Sequence, residues 1–426
     1  MDSEFYFKLE RAPAIVPLVL ESRGWTQHQE QHGVDNWSLF WKNGRPKPSE
    51  FANGKPYQRY NHFPKTSVIC RKDSLCRILR KMKAVHGGIY NFFPVTFMVP
   101  NEYTKFVNFF SEQKSKGIWI CKPNDMSRGR KIFVFKDILE LVYDTPCIVQ
   151  KYISNPFLIE QRKWDMRVYV LVTDFHPLTV YIYKEGLARF SSENYDTSDL
   201  ENKFSHLTNA SINKYNTESG NNKWDFSSLE MYLESQGVSY TTLWKRIQKI
   251  VVLTLVTLIP TVPQIDCCFE LLGFDIIIDE NIKPWILEVN SSPALGVECF
   301  VDAKVKTALV NDIIDVLKLQ SPTEYWAAHP PKKTKLKQPE ALQPSRSSTP
   351  APDRISIISD EYSDLVREIT NKHLSSPSAN FELVFPHKKQ LVTELNKLKK
   401  AAGSRDFNQV CQRVMNSVIN DFKTSK

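Results

Sequence analysis

Residues 268–279 read CFELLGFDIIID and residues 283–295 read KPWILEVNSSPAL. Two apolar runs, Phe269–Asp279 and Pro284–Val289, flank the polar turn Asp279-Glu280-Asn281. That pattern predicts an antiparallel hairpin within a buried sheet. Asp275 stands on the first run, and Glu288 and Asn290 stand at the end of the second. Glu288 and Asn290 are two apart, so they project from one face of a strand. A carboxylate on a buried strand is costly without a counter-charge. An oxygen-only donor set suits Mg²⁺, which keeps several waters and shares a substrate's phosphates. Taken singly, each residue reads as a surface Asp or a turn Glu; together they predict a cation site.

Working outward, two lysines emerge from apolar strands. Lys122 lies in IWICKPNDMSRGRKIFVF (118–135) and Lys151 in CIVQKYISNP (147–156). One such lysine is commonly a snorkelling side chain, but two that converge predict ligands for phosphate. Arg167 in WDMRVYVLV (164–172) has the same character, and its plain alternative is a local ion pair with Asp165.

Further strands are expected at Ser38–Trp41, Ile118–Cys121, Lys131–Phe135, Cys147–Tyr152, Met166–Thr173 and Leu178–Tyr183. Helices are expected at Asp73–Val85, Ser227–Ser235, Thr241–Ile259 and Asp302–Leu317. The first has Asp73 as its N-cap, stops at Gly87-Gly88 and puts Leu75, Ile78, Leu79 and Met82 on one face. Arg71, Lys72, Arg77, Arg80, Lys81 and Lys83 crowd the rest of it. That cationic surface is either solvated or turned towards an anion. Near residue 320 the composition changes to PPKKTKLKQPE and PSRSSTPAPD, which reads as a disordered linker. Short helices are expected beyond it at Phe381–Lys400 and Asp406–Phe422, the second with Val410, Val414 and Val418 aligned.

Composition narrows the class. Of the 426 residues, 42% are hydrophobic and 24% charged, the balance of a globular protein. The most apolar run, Val251–Ile259, is too short for a bilayer and stops at Pro260. The N-terminus lacks a secretory pattern, so a soluble intracellular protein is expected. Eight cysteines without CxxC spacing exclude a disulfide scaffold or zinc ribbon, leaving mostly buried thiols. The net charge of +9 is uneven. Residues 1–120 carry 18 Lys+Arg against 10 Asp+Glu, residues 121–320 carry 21 against 26, and residues 321–426 carry 17 against 11. An acidic middle between basic ends predicts a cation-binding core flanked by surfaces for a polyanion. Without a zinc finger or an RNP-type strand, nucleic acid is not the expected polyanion.

Several ordered stretches carry a resemblance: NHFPKTSVICRKDSLCRILRKMK (61–83), FFPVTFMVPNEY (92–103), WICKP (119–123), IVQKYISNPFLIEQRKWDMRVYVLV (148–172), EGLARFS (185–191) and HLTNASINK (206–214), then the hairpin above. Together they resemble the tubulin–tyrosine-ligase-like family, amino-acid ligases of ATP-grasp fold, and most closely its glutamylase branch. The resemblance spans about three quarters of the chain, to about residue 320. It implies an α+β ATP-grasp fold with an N-terminal α/β region and a largely disordered or short-helical C-terminal tail. The implied division is an N-terminal subdomain (1–66), a central ATP-grasp subdomain with the basic helix (67–145), a C-terminal ATP-grasp subdomain with the metal site (146–320), and a basic linker and tail (321–426).

The resemblance also implies roles. ATP would meet Lys122 and Lys151 at its phosphates, with Arg128 and Gly129 in a covering loop. Gln150, Tyr152 and Ile153 would form the adenine hinge, and Lys163, Asp165, Thr208 and Asn209 would line the pocket. The incoming amino acid would meet Arg189, Ser211, Lys214 and Lys306. Arg167 would neutralise charge developing on an acyl phosphate, Glu288 would share that catalytic work, and Asp275, Glu288 and Asn290 would hold magnesium. The implied reaction adds free glutamate through an isopeptide bond to glutamate side chains of tubulin C-terminal tails. The implied setting is the cytoplasmic microtubule cytoskeleton, including cilia and basal bodies. A monomer is expected, with accessory subunits left open and neither nucleic acid nor membrane as partner. The alternatives are a glycine ligase and a catalytically weak microtubule-binding module. Two departures from the family pattern stand out. Lys131 occupies a second glycine position of the covering loop, where a positive φ would cost a lysine about 1 kcal/mol. Ala210 follows Asn209 where many relatives carry an aromatic residue.

Overall fold

The computed structural model describes residues 5–112, 117–126, 129–213, 222–330, 358–377, 379–386 and 406–424. Of the linker expected beyond residue 320, residues 331–357 lie outside them, as do Arg128 and Lys214, whereas Pro322–Ala328 is a short helix. Two compact units are present, each assembled from separated stretches. The first comprises Met1–His62, Ile265–Phe269 and Ala294–Ala379. Its sheet is parallel, in the order β2–β1–β3–β4, from strands β1 (Tyr6–Glu10), β2 (Thr26–Gln27), β3 (Leu39–Lys42) and β4 (Arg59–Tyr60). Helix Ile15–Ser22 buries Ile15, Val16, Val19 and Leu20 as one stripe. Arg23, just past its end, donates to Asn311 Oδ1 (2.9 Å) and Asp315 Oδ1 (2.5 Å), on helix Phe300–Leu317. Asp315 also meets His373 of helix Asp360–Ser375, so one ion cluster ties three helices.

The second unit comprises Phe63–Gln264, Glu270–Pro293 and Asn380–Lys426. Its smaller sheet is antiparallel, in the order β5–β8–β6–β7, from β5 (Thr96–Val99), β6 (Trp119–Pro123), β7 (Phe133–Phe135) and β8 (Cys147–Lys151). Its larger sheet has the order β11–β10–β9–β12–β13, also antiparallel. Those strands are β9 (Arg162–Phe175), β10 (Leu178–Asn194), β11 (Lys223–Asp225), β12 (Glu270–Ile278) and β13 (Pro284–Asn290). The expected hairpin is β12–β13, and β12 is buried along its whole length because β9 and β13 flank it. β10 breaks register with β9 before Gly186, where a Cβ would come within 2.5 Å of Arg167 O and the Phe226 ring. Glycine at that position permits the close approach.

Helix Tyr240–Val256 is capped by Ser239 and buries the run read above as too short for a membrane. No described helix is long and apolar enough to cross one. The basic helix spans Lys72–His86 and ends at Gly87, whose φ is 76°. Its N-cap is Arg71, without a side-chain cap; Asp73 instead sits in the first turn, 3.3 Å from Arg71 Nε. Two of its cations have acidic partners: Arg80, still exposed, pairs with Glu102 at 2.7 Å, and Lys72 turns towards Glu288.

The tail differs most from expectation. Phe381–Phe385 is not helical but a strand, β14, paired with Val180–Tyr183 of β10. β10 offers an open edge there, and alternation lets Phe381 pack on the Tyr183 ring at 4.9 Å. Residues 387–400 lie outside the described chain. The last helix, Phe407–Thr424, buries Cys411, Val414, Met415, Val418 and Ile419. Phe385 is fully buried on β14. Phe385→Ala should therefore cost roughly 3–5 kcal/mol, read as a lower denaturant midpoint. An unchanged midpoint would mean that β14 adds nothing to the folded unit.

Candidate active site

Strand alternation puts Lys163, Asp165 and Arg167 on one face of β9. Register then aligns Arg167 with Asp275 on β12, Asp275 with Glu288 on β13, and Asp165 with Arg189 on β10. The charges interlock. Arg167 Nε and Nη2 donate to the two oxygens of Asp275 at 2.6 and 3.2 Å. Arg189 Nε and Nη2 donate to Asp165 at 2.7 Å each, and Nη2 also lies 2.9 Å from Asp275 Oδ2. Thr208 Oγ1 adds a 2.8 Å bond to Asp165. Burial opposes ionisation of Asp275, but Arg167 and then Arg189 outweigh it and hold this carboxyl well below the usual carboxylate range. The local Arg167–Asp165 pair considered from sequence does not form. Each arginine instead reaches a carboxylate on a neighbouring strand, closer than a residue two along its own strand.

Glu288 and Asn290 project from one face, as their spacing predicts, and Asn290 Nδ2 lies 3.3 Å from Glu288 Oε1. Lys72 Nζ is 3.8 Å from Glu288 Oε2 and donates to Met126 O at 3.0 Å. The sequence reading placed Lys72 among surface charges and missed it here. Glu288, Asn290 and Asp275 each carry a side-chain oxygen, the donor type that a hard cation takes. Glu288 meets Asn290 at 3.3 Å and Lys72 at 3.8 Å, whereas Asp275 is shared with two guanidinium groups.

The two ammonium groups expected to converge do not. Lys122 and Gln150 share one face of the smaller sheet, whereas Lys151 alternates to the other, its Nζ 5.4 Å from the Trp119 ring centroid. Trp119 belongs to the apolar core on that side. The second cleft ammonium is that of Lys163. Lys122 Nζ donates to Gln150 Oε1 at 2.8 Å, and Lys163 Nζ donates to Tyr152 Oη at 2.8 Å and His206 O at 2.9 Å. His206 Nδ1 meets Tyr152 Oη at 2.9 Å, another contact not read from sequence. Burial pulls Lys122 down to about 8 and Lys163 to about 7, and Lys122 itself adds to the latter shift.

These groups border one cleft between the unit's two sheets. Ile120, Ile132, Leu207, Ile277 and Leu287 form an apolar slot, with Tyr152, Ile153, Thr208 and Asn209 beside it. Gly129 has φ 71°, and a Cβ there would lie 2.4 Å from Ile212 Cδ1. Lys131 does adopt a positive φ of 54°, and its ammonium pairs with Asp144. Ser211 is exposed on the short helix Ala210–Asn213. Lys306 lies in the first unit, where its Nζ is 2.7 Å from Asp302 and donates to Gly296 O at 2.6 Å.

The profile of the tubulin-tyrosine ligase family matches residues 51–324. The chain belongs to that family. Among its members, "Probable tubulin polyglutamylase TTLL2" of Homo sapiens is 46% identical over 325 residues, which is 73% of this chain and 55% of that protein. "Tubulin polyglutamylase TTLL5" of Mus musculus is 35% identical over 333 residues, 73% of this chain and 25% of that protein. "Tubulin polyglutamylase TTLL6" of Homo sapiens is 35% identical over 306 residues, 67% and 34% respectively. The chain thus spans from a quarter to just over half the length of these family members.

A polyanion entering the cleft would raise the pKa of Lys163, which lies at about 7 in the open site. Triphosphate binding at pH 8 should therefore take up a proton, and affinity should fall as pH rises above about 7. Calorimetry in two buffers of different ionisation enthalpy measures the uptake. Zero uptake would mean that Lys163 does not face the bound anion.

Proposed function

We propose that the chain is an ATP-dependent ligase of ATP-grasp type that attaches free glutamate to glutamate side chains in tubulin C-terminal tails. One observation supports the reading: two buried lysines, held by neutral oxygens, line the same cleft as Glu288, and that cleft carries an apolar slot. A lysine held only by neutral acceptors leaves its ammonium form to be matched by an anionic ligand. The slot suits a flat base, the lysines suit its phosphates, and family membership favours this ligand over other polyanions. The names borne by the relatives above favour glutamate as the added group and tubulin as the acceptor.

In the proposed sequence, the γ-phosphoryl group passes to an acceptor carboxylate oxygen as its bond to ADP breaks. The α-amine of glutamate then attacks the acyl carbon, loses a proton and expels phosphate, leaving an isopeptide bond. Both steps build charge on oxygen, so positioned cations supply the catalysis. Lys122 and Lys163 would hold phosphate oxygens, with Lys72 at the end nearest Glu288. Arg167, kept rigid by Asp275, would face the acyl phosphate. Glu288 and Asn290, with Asp275 behind them, would hold magnesium, which when bound withdraws charge from phosphate oxygens. Arg189 would meet the amino acid's carboxylate while remaining anchored on Asp165. The setting proposed is the microtubule cytoskeleton.

The experiment is incubation of the full chain with ATP, Mg²⁺, microtubules and each labelled amino acid in turn. Glutamate incorporation is expected, abolished in Glu288→Gln with the circular-dichroism spectrum and melting unchanged. Glycine incorporation alone would reassign the added group, and no incorporation would sink the ligase reading. Activity retained in Glu288→Gln would remove Glu288 from the reacting centre.

A further inference from the structure

Strand β5 contributes no cleft residue singled out by the sequence, yet Thr96 is joined to the cleft's cationic end by two hydrogen bonds. Its hydroxyl donates to Pro94 O at 2.8 Å. That commits its one proton, so the oxygen can only accept from Gln150, whose Nε2 donates to it at 2.9 Å. A carboxamide has one donating and one accepting end. With the nitrogen on Thr96, Oε1 points the other way and receives Lys122 Nζ at 2.8 Å. The three side chains are 6%, 1% and 9% exposed, so water offers little substitute for a lost partner. Flipping the amide would set its NH₂ against an ammonium and leave two buried groups mismatched. β5 is itself held in place: Arg80 Nη2 donates to Thr96 O at 3.0 Å, and Met98 N donates to Glu102, the partner of Arg80, at 2.9 Å.

We propose that Thr96 is a positioning residue of the nucleotide site. The direction of its hydroxyl proton orients the Gln150 amide, and the amide places the ammonium of Lys122. This rests on the reading of the cleft as an ATP site and adds a residue that acts only through others.

The test is binding of ATP with Mg²⁺ to the full chain by calorimetry. It compares wild type, Thr96→Val, Thr96→Ser, Gln150→Leu and the Thr96→Val/Gln150→Leu double variant. Thr96→Val should weaken binding about tenfold, the loss of one hydrogen bond in a charge-linked relay. Thr96→Ser keeps the hydroxyl and should bind as wild type. In the Gln150→Leu background, Thr96→Val should cost nothing more, because the relay is already broken. Thr96→Ala serves as a second hydroxyl-free variant should valine prevent folding. Wild-type affinity in Thr96→Val, or the same loss in both backgrounds, would overturn the relay while leaving the ATP site standing. Absence of ATP binding by the wild-type chain would overturn the reading of the cleft, and the relay with it.

Discussion

Two guanidinium groups and two carboxylates alternate on one buried face of the larger sheet, and the rest of the site is built around that lattice. Arg167, Asp275, Arg189 and Asp165 come from three adjacent strands and leave no net charge among themselves. Removing one of them would strand a buried charge, at a cost of roughly 3–5 kcal/mol. The lattice also constrains register. A slip of one residue along β9 or β12 would turn every charge to the apolar face. Glu288 takes its place opposite Asp275 from the same alignment.

Against this neutral background the cleft lysines stand apart. Among the described residues, Lys122 and Lys163 are held by a carboxamide, a phenol and a backbone carbonyl rather than by carboxylates at ion-pair distance. Burial then works against their charge and lowers both. An anion placed against them would favour their charged forms and oppose that shift. The arginines are paired with carboxylates, whereas the lysines are held by neutral groups.

Much of this could be read from residue patterns, and particular residues show where such reading stops. The hairpin of 268–295, its turn and the shared face of Glu288 and Asn290 follow from a period of two. The basic helix and its glycine stop follow from a period near 3.6. Lys151 marks one limit. Its residue type and its exit from a strand match those of Lys122, and both residues line the cleft, but which ammonium faces it depends on how β8 pairs with β6. Lys72 and Arg80 mark another. On a helical wheel both belong to the solvated face, yet each finds an acidic partner far along the chain, Glu288 and Glu102. Phe381–Phe385 stands within a segment expected to be helical and is a strand because the edge of β10 offers it a partner.

Local periodicity, charge and the order of motifs were therefore enough to give the hairpin, the shared face of Glu288 and Asn290 and the family, because those depend on neighbours a few bonds away. The pairing of each arginine with its carboxylate, the choice of Lys163 over Lys151 and the place of Thr96 behind the cleft needed the folded chain. They depend on register between strands that lie up to about a hundred residues apart, which packing and buried charge decide together and no local pattern encodes.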